Sequence, residues 1–368
     1  MKQGIRMAER GSIAAVGIDV GDRFSHWCAL YGDGSVGARG RVRTSGEAML
    51  EQGKQWPGVR VAIENGTHSG WISRVLTTAG CEVVVANPSR WRGTAHNSKN
   101  DRNDAEALAR VVRVDPRLLF PIQHRGQQQQ QDLALIRVRA QLIKARTQLV
   151  NTARGVVKSL GGRLPSADAA YFVPRTWPQV PAELHAALEP LYQSLLALNQ
   201  QIRTLDKGIE QLSRQHYQQT ARLRSVPGVG PVTALTYVLT LGDPHRFTSS
   251  RAAGAYLGLR PRQRQSGERD PNLGIARNGD GYLRSLLVEC AHHVLSRGPD
   301  SALKQWGLAL AGGGKRPRRR ALVAVARKLA VLLHKLWVSG QRFCPFPEET
   351  VDAQRRAHHC LGAAAATV

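Results

Sequence analysis

Five short apolar runs between residues 13 and 87 constrain the fold of this chain more than any other feature. The first three, at residues 13–21, 25–32 and 36–44, are separated by turns rich in Gly and Asp, which suit hairpins. We therefore expect an antiparallel meander of three strands. A helix from Ser45 to about residue 55, a strand at 60–65, a helix at 69–79 and a strand at 82–87 follow by the same patterning.

Three strands followed by alternating helix and strand is the order of an RNase H-like α/β fold. Asp19 lies in the first strand among apolar residues, where an unpaired carboxylate is costly, and Glu64 ends the fourth strand. Asp101 and Asp104 are three residues apart at the start of a predicted helix and so share one face. In this fold the four carboxylates converge, and such a cluster holds divalent metal for phosphodiester chemistry.

Each of these acids also has a plain structural explanation. Asp19 would be a turn residue and Glu64 a strand-end cap, whereas Asp101 and Asp104 would cap their helix and favour its dipole. Because the four acids fall together at the ends of the right elements, the metal interpretation is favoured over the structural one.

The charge of the chain indicates a polyanionic partner. Its 368 residues carry 52 Lys plus Arg against 27 Asp plus Glu, a net charge of +25, and most of the excess lies beyond residue 120. No long apolar span accompanies this charge, so nucleic acid is favoured over a membrane. We expect a cytoplasmic, nucleoid-associated protein without a secretory signal.

The five cysteines form no CxxC pair, which favours a reducing compartment and argues against a zinc module. Two groups of Cys and His resemble sets of metal ligands, but each consists of adjacent residues, which rarely form a site without distant partners. Helix packing is the favoured interpretation for the first group and a loose tail for the second. These groups are Cys290 with His292 and His293, and His358 and His359 with Cys360.

Two long helices are predicted between residues 127 and 220, separated by a Gly- and Pro-rich break at 161–181. The second carries apolar residues at alternating four- and three-residue steps from Leu184 to Leu212. Such a heptad seam predicts an antiparallel coiled coil or a dimerisation arm. The alternative is an ordinary core of a helical bundle, which the polarity of the other faces makes weaker.

Basic and Gly-rich segments of the second half predict contacts with nucleic acid. The turn at 224–234 resembles a helix-hairpin-helix motif, whose backbone N–H groups hold phosphates. Ser266 follows a basic loop, and a basic tract at 315–320 opens a helix. The predicted contact residues are Arg90, Arg92, Lys99, Gly228, Gly230, Arg262, Arg264, Lys315, Arg316, Arg318, Arg319 and Arg320.

Taken in order, the motifs GIDVG with Asp19, AIEN with Glu64, KNDRNDAEALA with Asp101 and Asp104, VPGVGPVTA, YLGLRPRQRQSGE with Ser266, and GxARNGxxYLR span residues 13–342. This set resembles the DEDD transposases of the insertion-sequence family one-ten, which are relatives of the Piv invertase. The resemblance implies a RuvC-like catalytic domain at 12–120, a coiled-coil oligomerisation region at 127–220, a mainly helical serine-bearing domain at 221–342 and a tail at 343–368.

The family resemblance also implies a chemistry. It implies Mg²⁺ held by the four acids and recombination of donor and target DNA through a covalent Ser266–DNA link. It also implies a structured bridge RNA that directs the reaction, and dimers that assemble into a tetramer in which acids and serine come from different subunits. Two alternatives stay open: a RuvC-like nuclease that hydrolyses DNA without a covalent step, and a basic architectural protein without enzymatic activity.

Overall fold

The computed structural model describes residues 11–88, 90–91, 101–262, 274–276, 278–312 and 315–347, the side chains of 315–317 excepted. The chain divides into two compact units, Met1–Gln127 and Gln128–Val368, called unit 1 and unit 2 below. None of the helices in these ranges combines the length and apolarity that a membrane crossing requires.

Unit 1 is built on one five-stranded sheet. Strands β1 (Ile13–Asp19), β2 (Phe24–Tyr31) and β3 (Val36–Arg43) form an antiparallel meander. Strands β4 (Arg60–Glu64) and β5 (Glu82–Ala86) extend the sheet in parallel to β1, giving the order β3-β2-β1-β4-β5. The five strands and the meander predicted from the sequence are confirmed, and β1 lies at the centre.

Helices cover both faces of this sheet. Helices α1 (Gly46–Gly53) and α2 (Ser69–Thr78) share one core with the even-numbered residues of β1, Val16 and Ile18, which are fully buried. Helix α3 (Asp101–Val114) packs on the opposite face, against Ala15. Burial of each aliphatic side chain contributes roughly 1.5–3 kcal/mol to the free energy of unfolding. The alternation of side chains along β1 therefore fixes the face of the sheet on which each of its residues packs.

Gly17 sets how closely α3 approaches the sheet. A Cβ built on Gly17 would lie 2.1 Å from the carbonyl oxygen of Ala105 and 2.4 Å from the backbone nitrogen of Ala109. No side chain fits in that space, so the backbones of β1 and α3 are in direct contact there. A glycine inside a strand often marks such a close backbone approach.

Unit 2 begins with two long helices, α4 (Gln127–Ser159) and α6 (His185–His216). The pairs Arg139–Asp206 at 2.5 Å and Arg146–Asn199 at 2.9 Å show that the helices run antiparallel. The predicted break between them contains a short α-helix, α5 (Phe172–Thr176), whose Phe172 is fully buried, and a 3₁₀ turn at Trp177–Gln179. Two long antiparallel helices are therefore confirmed, whereas a coiled coil stays a prediction.

The rest of unit 2 is helical around α8 (Pro231–Leu241), which is buried from Thr233 to its end. The other helices are α7 (Thr220–Leu223), α9 (Ser250–Tyr256), α10 (Gly281–Ser296), α11 (Ala302–Ala311) and α12 (Lys315–Ser339). Ile136 of α4 and Ile209 of α6 belong to the same core as α8 and α12. The division of this unit into regions 127–220 and 221–342 stays a prediction.

Candidate active site

Asp19 and Glu64 are the last residues of two neighbouring parallel strands. In the β1–β4 ladder Ile18 lies opposite Ile63, so Asp19 and Glu64 follow side by side at the carboxyl edge of the sheet. Because successive side chains of a strand alternate between faces, Asp19 shares the face of Gly17, which is the face that α3 covers. Both acids therefore lie on the α3 side.

Helix α3 brings the other two acids to the same edge. Its later residues Leu108 and Val112 pack with Ala15, near the start of β1, whereas Ala105 contacts Gly17. The helix thus runs opposite to β1, and its first turn, which carries Asp101 and Asp104, lies at the Asp19 end. The backbone brings all four sequence-predicted acids to one edge of the sheet.

His26 belongs to this edge and was not predicted. It is the register partner of Asp19 on β2, and its Nδ1 lies 3.5 Å from Oδ2 of Asp101. Strand alternation places His26 on the same face as Cys28, but no motif in the sequence marks it. Through its contact with Asp101, His26 links β2 to the first turn of α3 at this edge.

A cleft of about 410 Å³ opens at the ends of β1 and β4, lined by Asp19 and Glu64 together with Asp22, Asn65 and His68. Nε2 of His68 lies 3.4 Å from Asp22, and its Nδ1 is 3.1 Å from Nε1 of Trp71, which donates to it. The histidine is therefore held at the rim by contacts on both ring nitrogens.

The donor set suits a hard divalent cation. Carboxylate oxygens are the ligands that Mg²⁺ prefers, and four carboxylates stand at one sheet edge. In the described ranges, however, no three Asp, Glu, His or Cys side chains are grouped closely enough to hold one ion. The residues thus fit a metal in chemistry and in backbone placement, and their side chains do not form a closed set of ligands.

In unit 2 the turn between α7 and α8 packs against α10. Gly228 has a φ of +84°, and a Cβ there would lie 2.9 Å from Cδ2 of His293. The thiol of Cys290 donates to the carbonyl of Gly228 at 3.0 Å, and burial raises its pKa. Packing therefore explains both Cys290 and Gly228. Gly230 is the N-cap of α8 and supplies no capping side chain.

The loop that carries Ser266 lies outside the described residues, but its base does not. Arg262 donates its N–H to the carbonyl of Gly274 at 3.0 Å, and Ala276 donates to Arg260 at 2.9 Å. Arg284 of α10 donates to the carbonyls of Leu257, at 3.2 Å, and of Asn278. The two ends of the loop are thus held together and fastened to α10.

Two serines that precede this loop in the sequence have structural roles. Ser249 caps α9 by accepting from the N–H of Ala252, and the hydroxyl of Ser250 lies 3.0 Å from Nδ1 of His334. Both hydroxyls are therefore engaged in holding α9.

The predicted nucleic-acid contacts are scattered over the chain. The guanidinium of Arg90 stacks 4.3 Å from the ring centroid of Phe120, and Arg262 is exposed beside the loop base. Arg318, Arg319 and Arg320 are exposed on the first turns of α12. Arg92, Lys99 and Arg264 lie outside the described residues, as do the side chains of Lys315 and Arg316.

Similarity to known proteins identifies the family of this chain. A model of the DEDD transposases of the IS110 type matches residues 16–161, and one of the transposase IS116/IS110/IS902 family matches residues 220–307. The transposase for insertion sequence element IS1111A of Coxiella burnetii is 32% identical over 274 residues, which cover 72% of this chain and 73% of that protein. The chain belongs to the IS110/IS116/IS902 family of transposases.

A second relative extends the similarity. The transposase for insertion sequence element IS1328 of Yersinia enterocolitica is 30% identical over 292 residues, covering 78% of this chain and 85% of that protein. The family match at 16–161 includes the four acid positions, and the match at 220–307 includes the Gly228 turn and Ser266. The protein is therefore an insertion-sequence transposase, a DNA-processing enzyme.

Proposed function

We propose that this transposase cuts and rejoins DNA with Asp19, Glu64, Asp101 and Asp104 as its acidic set. One observation carries the proposal: register and helix packing bring all four positions to one edge of the sheet. The strand order β3-β2-β1-β4-β5, with its meander and two parallel strands, supports an RNase H-like domain of the RuvC type.

The four carboxylates would hold Mg²⁺, which supplies neutralisation of phosphodiester charge and activation of the attacking oxygen. The protein positions its own groups for this. The ends of β1 and β4 orient Asp19 and Glu64, the first turn of α3 orients Asp101 and Asp104, and His26 restrains Asp101 through the 3.5 Å contact.

Ser266 is the proposed nucleophile. Its hydroxyl gives up its proton as the oxygen attacks a DNA phosphorus, the bond to the sugar oxygen breaks, and that oxygen takes up a proton and leaves as a free hydroxyl. The strand is retained on the protein as a phosphoserine diester. This link conserves the energy of the broken bond, so strands are exchanged and rejoined without ATP. Backbone hydrogen bonds close the base of the loop that carries Ser266, and Arg284 fastens that base to α10.

Trapping a protein–DNA adduct tests this assignment. Denaturation of a reaction in Mg²⁺ should reveal a covalent adduct with wild-type protein and with the control Ser250→Ala, and none with Ser266→Ala. Cleavage without any adduct would instead establish the runner-up, a RuvC-like nuclease that acts by hydrolysis. DNA binding without cleavage would leave only the architectural alternative.

We further propose that acids and serine act from different subunits of a tetramer built from dimers, with the antiparallel helices α4 and α6 as its coiled-coil arm. Ser266→Ala and Asp101→Ala should each be inactive alone, and mixed oligomers should recover some adduct. Mixed oligomers that form no adduct would place both groups in one chain, or remove Ser266 as nucleophile.

A structured bridge RNA is the proposed guide for pairing donor and target DNA. The net charge of +25 supports a partner of this kind. The element's noncoding transcript should bind the purified protein with a steep salt dependence, because each neutralised phosphate adds to the slope. Affinity no greater than for unrelated RNA of equal length would contradict a guide role.

A further inference from the structure

The acidic edge of the sheet continues into a cationic one. In register, Asp19 lies opposite His26, and His26 lies opposite Arg41 of the edge strand β3. Cross-strand partners place their side chains on the same face, so Glu64, Asp19, His26 and Arg41 form one row across four strands. With strands about 4.8 Å apart, Arg41 begins roughly 10 Å from Asp19.

The next row outward contains an aromatic residue and a second cation. Phe24 lies opposite Arg43, and the guanidinium of Arg41 sits 4.7 Å from the centroid of the Phe24 ring. Phe24 is 43% exposed, and both arginines are exposed. Phe24, Arg41 and Arg43, called the arginine rim below, thus present one aromatic ring and two cations to solvent on the face that carries the acids.

The arginine rim differs from its surroundings. Arg39, two residues earlier on the same strand and face, forms an ion pair with Glu106 of α3. The opposite edge strand β5, with the sequence EVVVA, carries no cation at all. An exposed phenylalanine would oppose the purpose of charges that only keep an edge strand from aggregating.

We propose that the arginine rim holds the DNA strand that the acids cut, with Arg41 and Arg43 on successive phosphates and Phe24 against a base. Two residues along a strand span roughly 7 Å, close to the separation of neighbouring phosphates in an extended nucleic-acid strand. Aromatic platforms flanked by cations are the usual means of binding a single strand without reading its sequence. The inference rests on the proposed acidic set, because that set defines where the cut phosphate lies.

Salt-dependent binding of single-stranded DNA tests the two arginines. Removing one phosphate contact should lower the slope of log Kd against log salt by roughly 0.7, so Arg41→Gln and Arg43→Gln should each do so. Arg39→Gln is the matched control on the same strand, and Arg60→Gln, whose side chain pairs with Glu82, removes a charge at the far end of the sheet. Equal losses in all four variants, or no change of slope at Arg41 and Arg43, would overturn the proposal.

Phe24 has a separate signature. Phe24→Ala should abolish the quenching of a 2-aminopurine base in the bound strand and leave the salt slope unchanged, whereas Phe24→Trp should retain the quenching. In cleavage assays the arginine-rim variants should raise the DNA concentration for half-maximal rate about tenfold at an unchanged maximal rate. Quenching that survives Phe24→Ala, or defects confined to RNA binding, would overturn the proposal. Asp19→Asn should retain the quenching, because Asp19 is not part of the arginine rim. Quenching therefore reports on the arginine rim alone, whereas cleavage by Asp19→Asn reports on the acidic set.

Discussion

The acid-bearing edge of unit 1 and the serine-bearing region of unit 2 are fixed by different means. At the acid edge, the hydrogen-bonded register of the strands and the contact of α3 with Gly17 determine where the backbone of each acidic residue lies. In unit 2 the backbone pairs at Arg262 and Ala276 and the clamp of Arg284 fix only the base from which the loop with Ser266 departs. A sheet edge positions each of its residues, whereas the hydrogen bonds described in unit 2 fix the two ends of a loop.

This difference has a chemical consequence. Groups that must hold a small cation need positions accurate to a fraction of an ångström, which rigid elements provide. The acid-bearing edge therefore suits the role we propose for it.

The largest expected effect separates the proposed acids from a neighbouring one. Asp19→Asn removes a carboxylate from the end of β1, and we expect strand cleavage in Mg²⁺ to fall by at least about a thousandfold while DNA binding persists, since charge stabilisation at the cut phosphate is lost. Asp22→Asn is the matched control, because Asp22 lines the same cleft but is 91% exposed and contacts His68.

Cleavage rates of the purified variants, measured under single-turnover conditions, decide this prediction. Normal cleavage by Asp19→Asn, or an equal loss in Asp22→Asn, would remove the assignment of the acidic set.

A smaller but still large effect is expected where β1 touches α3. Gly17→Ala introduces a Cβ about 2.1 Å from the carbonyl oxygen of Ala105, so the helix must move away from the strand. Overpacking of this kind costs roughly 1–3 kcal/mol of unfolding free energy, and cleavage should fall because Asp101 moves with α3. Gly46→Ala, where no atom lies within 4 Å of the new Cβ, is the control. Chemical denaturation of both variants provides the measurement, and equal stability of the two would show that the contact is not tight.

The sequence predicts unit 1 well because its signals are local. Alternation along β1 places Asp19 on a known face, turns rich in Gly and Asp set the meander, and three-residue spacing places Asp101 with Asp104. The sequence alone does not show that Gly17 permits close backbone contact, because that role depends on α3 packing against it. His26 was missed because a half-buried histidine in a strand carries no motif, and its role depends on a register that only the folded sheet supplies.

Unit 2 was less predictable for a physical reason. The apolar spacing predicted the long helices α4 and α6. The core that they share with α8 and α12 depends on contacts between residues far apart in sequence. One such contact is the hydroxyl of Tyr237, which donates to the carbonyl of Ala330 at 2.6 Å. The short helix α5 lies in a stretch where Gly and Pro predicted only a break. The Gly228 turn looked like a phosphate site, and the structure adds a packing reason for that glycine, the ring of His293.

An intermediate effect is expected from the clamp beneath the serine loop. Arg284→Met keeps the length and apolar contacts of the side chain but removes its donors to Leu257 and Asn278. We expect about a tenfold loss of covalent adduct with little loss of DNA binding, because the loop base loosens while the basic surfaces remain. Arg297→Gln, at the far end of α10, is the control. Adduct yield against time is the readout, and an unchanged yield would show that the clamp does not position Ser266.

The smallest expected effect compares buried thiols of the two units. Burial raises the pKa of Cys28 in unit 1 and of Cys290 in unit 2. Below the unfolded pKa of about 8.5, the thiol is protonated in both the folded and the unfolded state, and its contribution to stability is fully present. Above it the unfolded chain loses the proton first, so stability falls as pH rises towards the folded pKa. Each thiol should therefore contribute an alkaline slope of less than about 1.4 kcal/mol per pH unit. Cys28→Ala and Cys290→Ala should each flatten the fall in unfolding free energy above about pH 8.5, and Cys344→Ala, which removes an exposed thiol, is the control. If Cys290→Ala destabilises the protein equally at all pH values, loss of its 3.0 Å hydrogen bond to Gly228 and of its packing, and not its titration, is what unit 2 depends on.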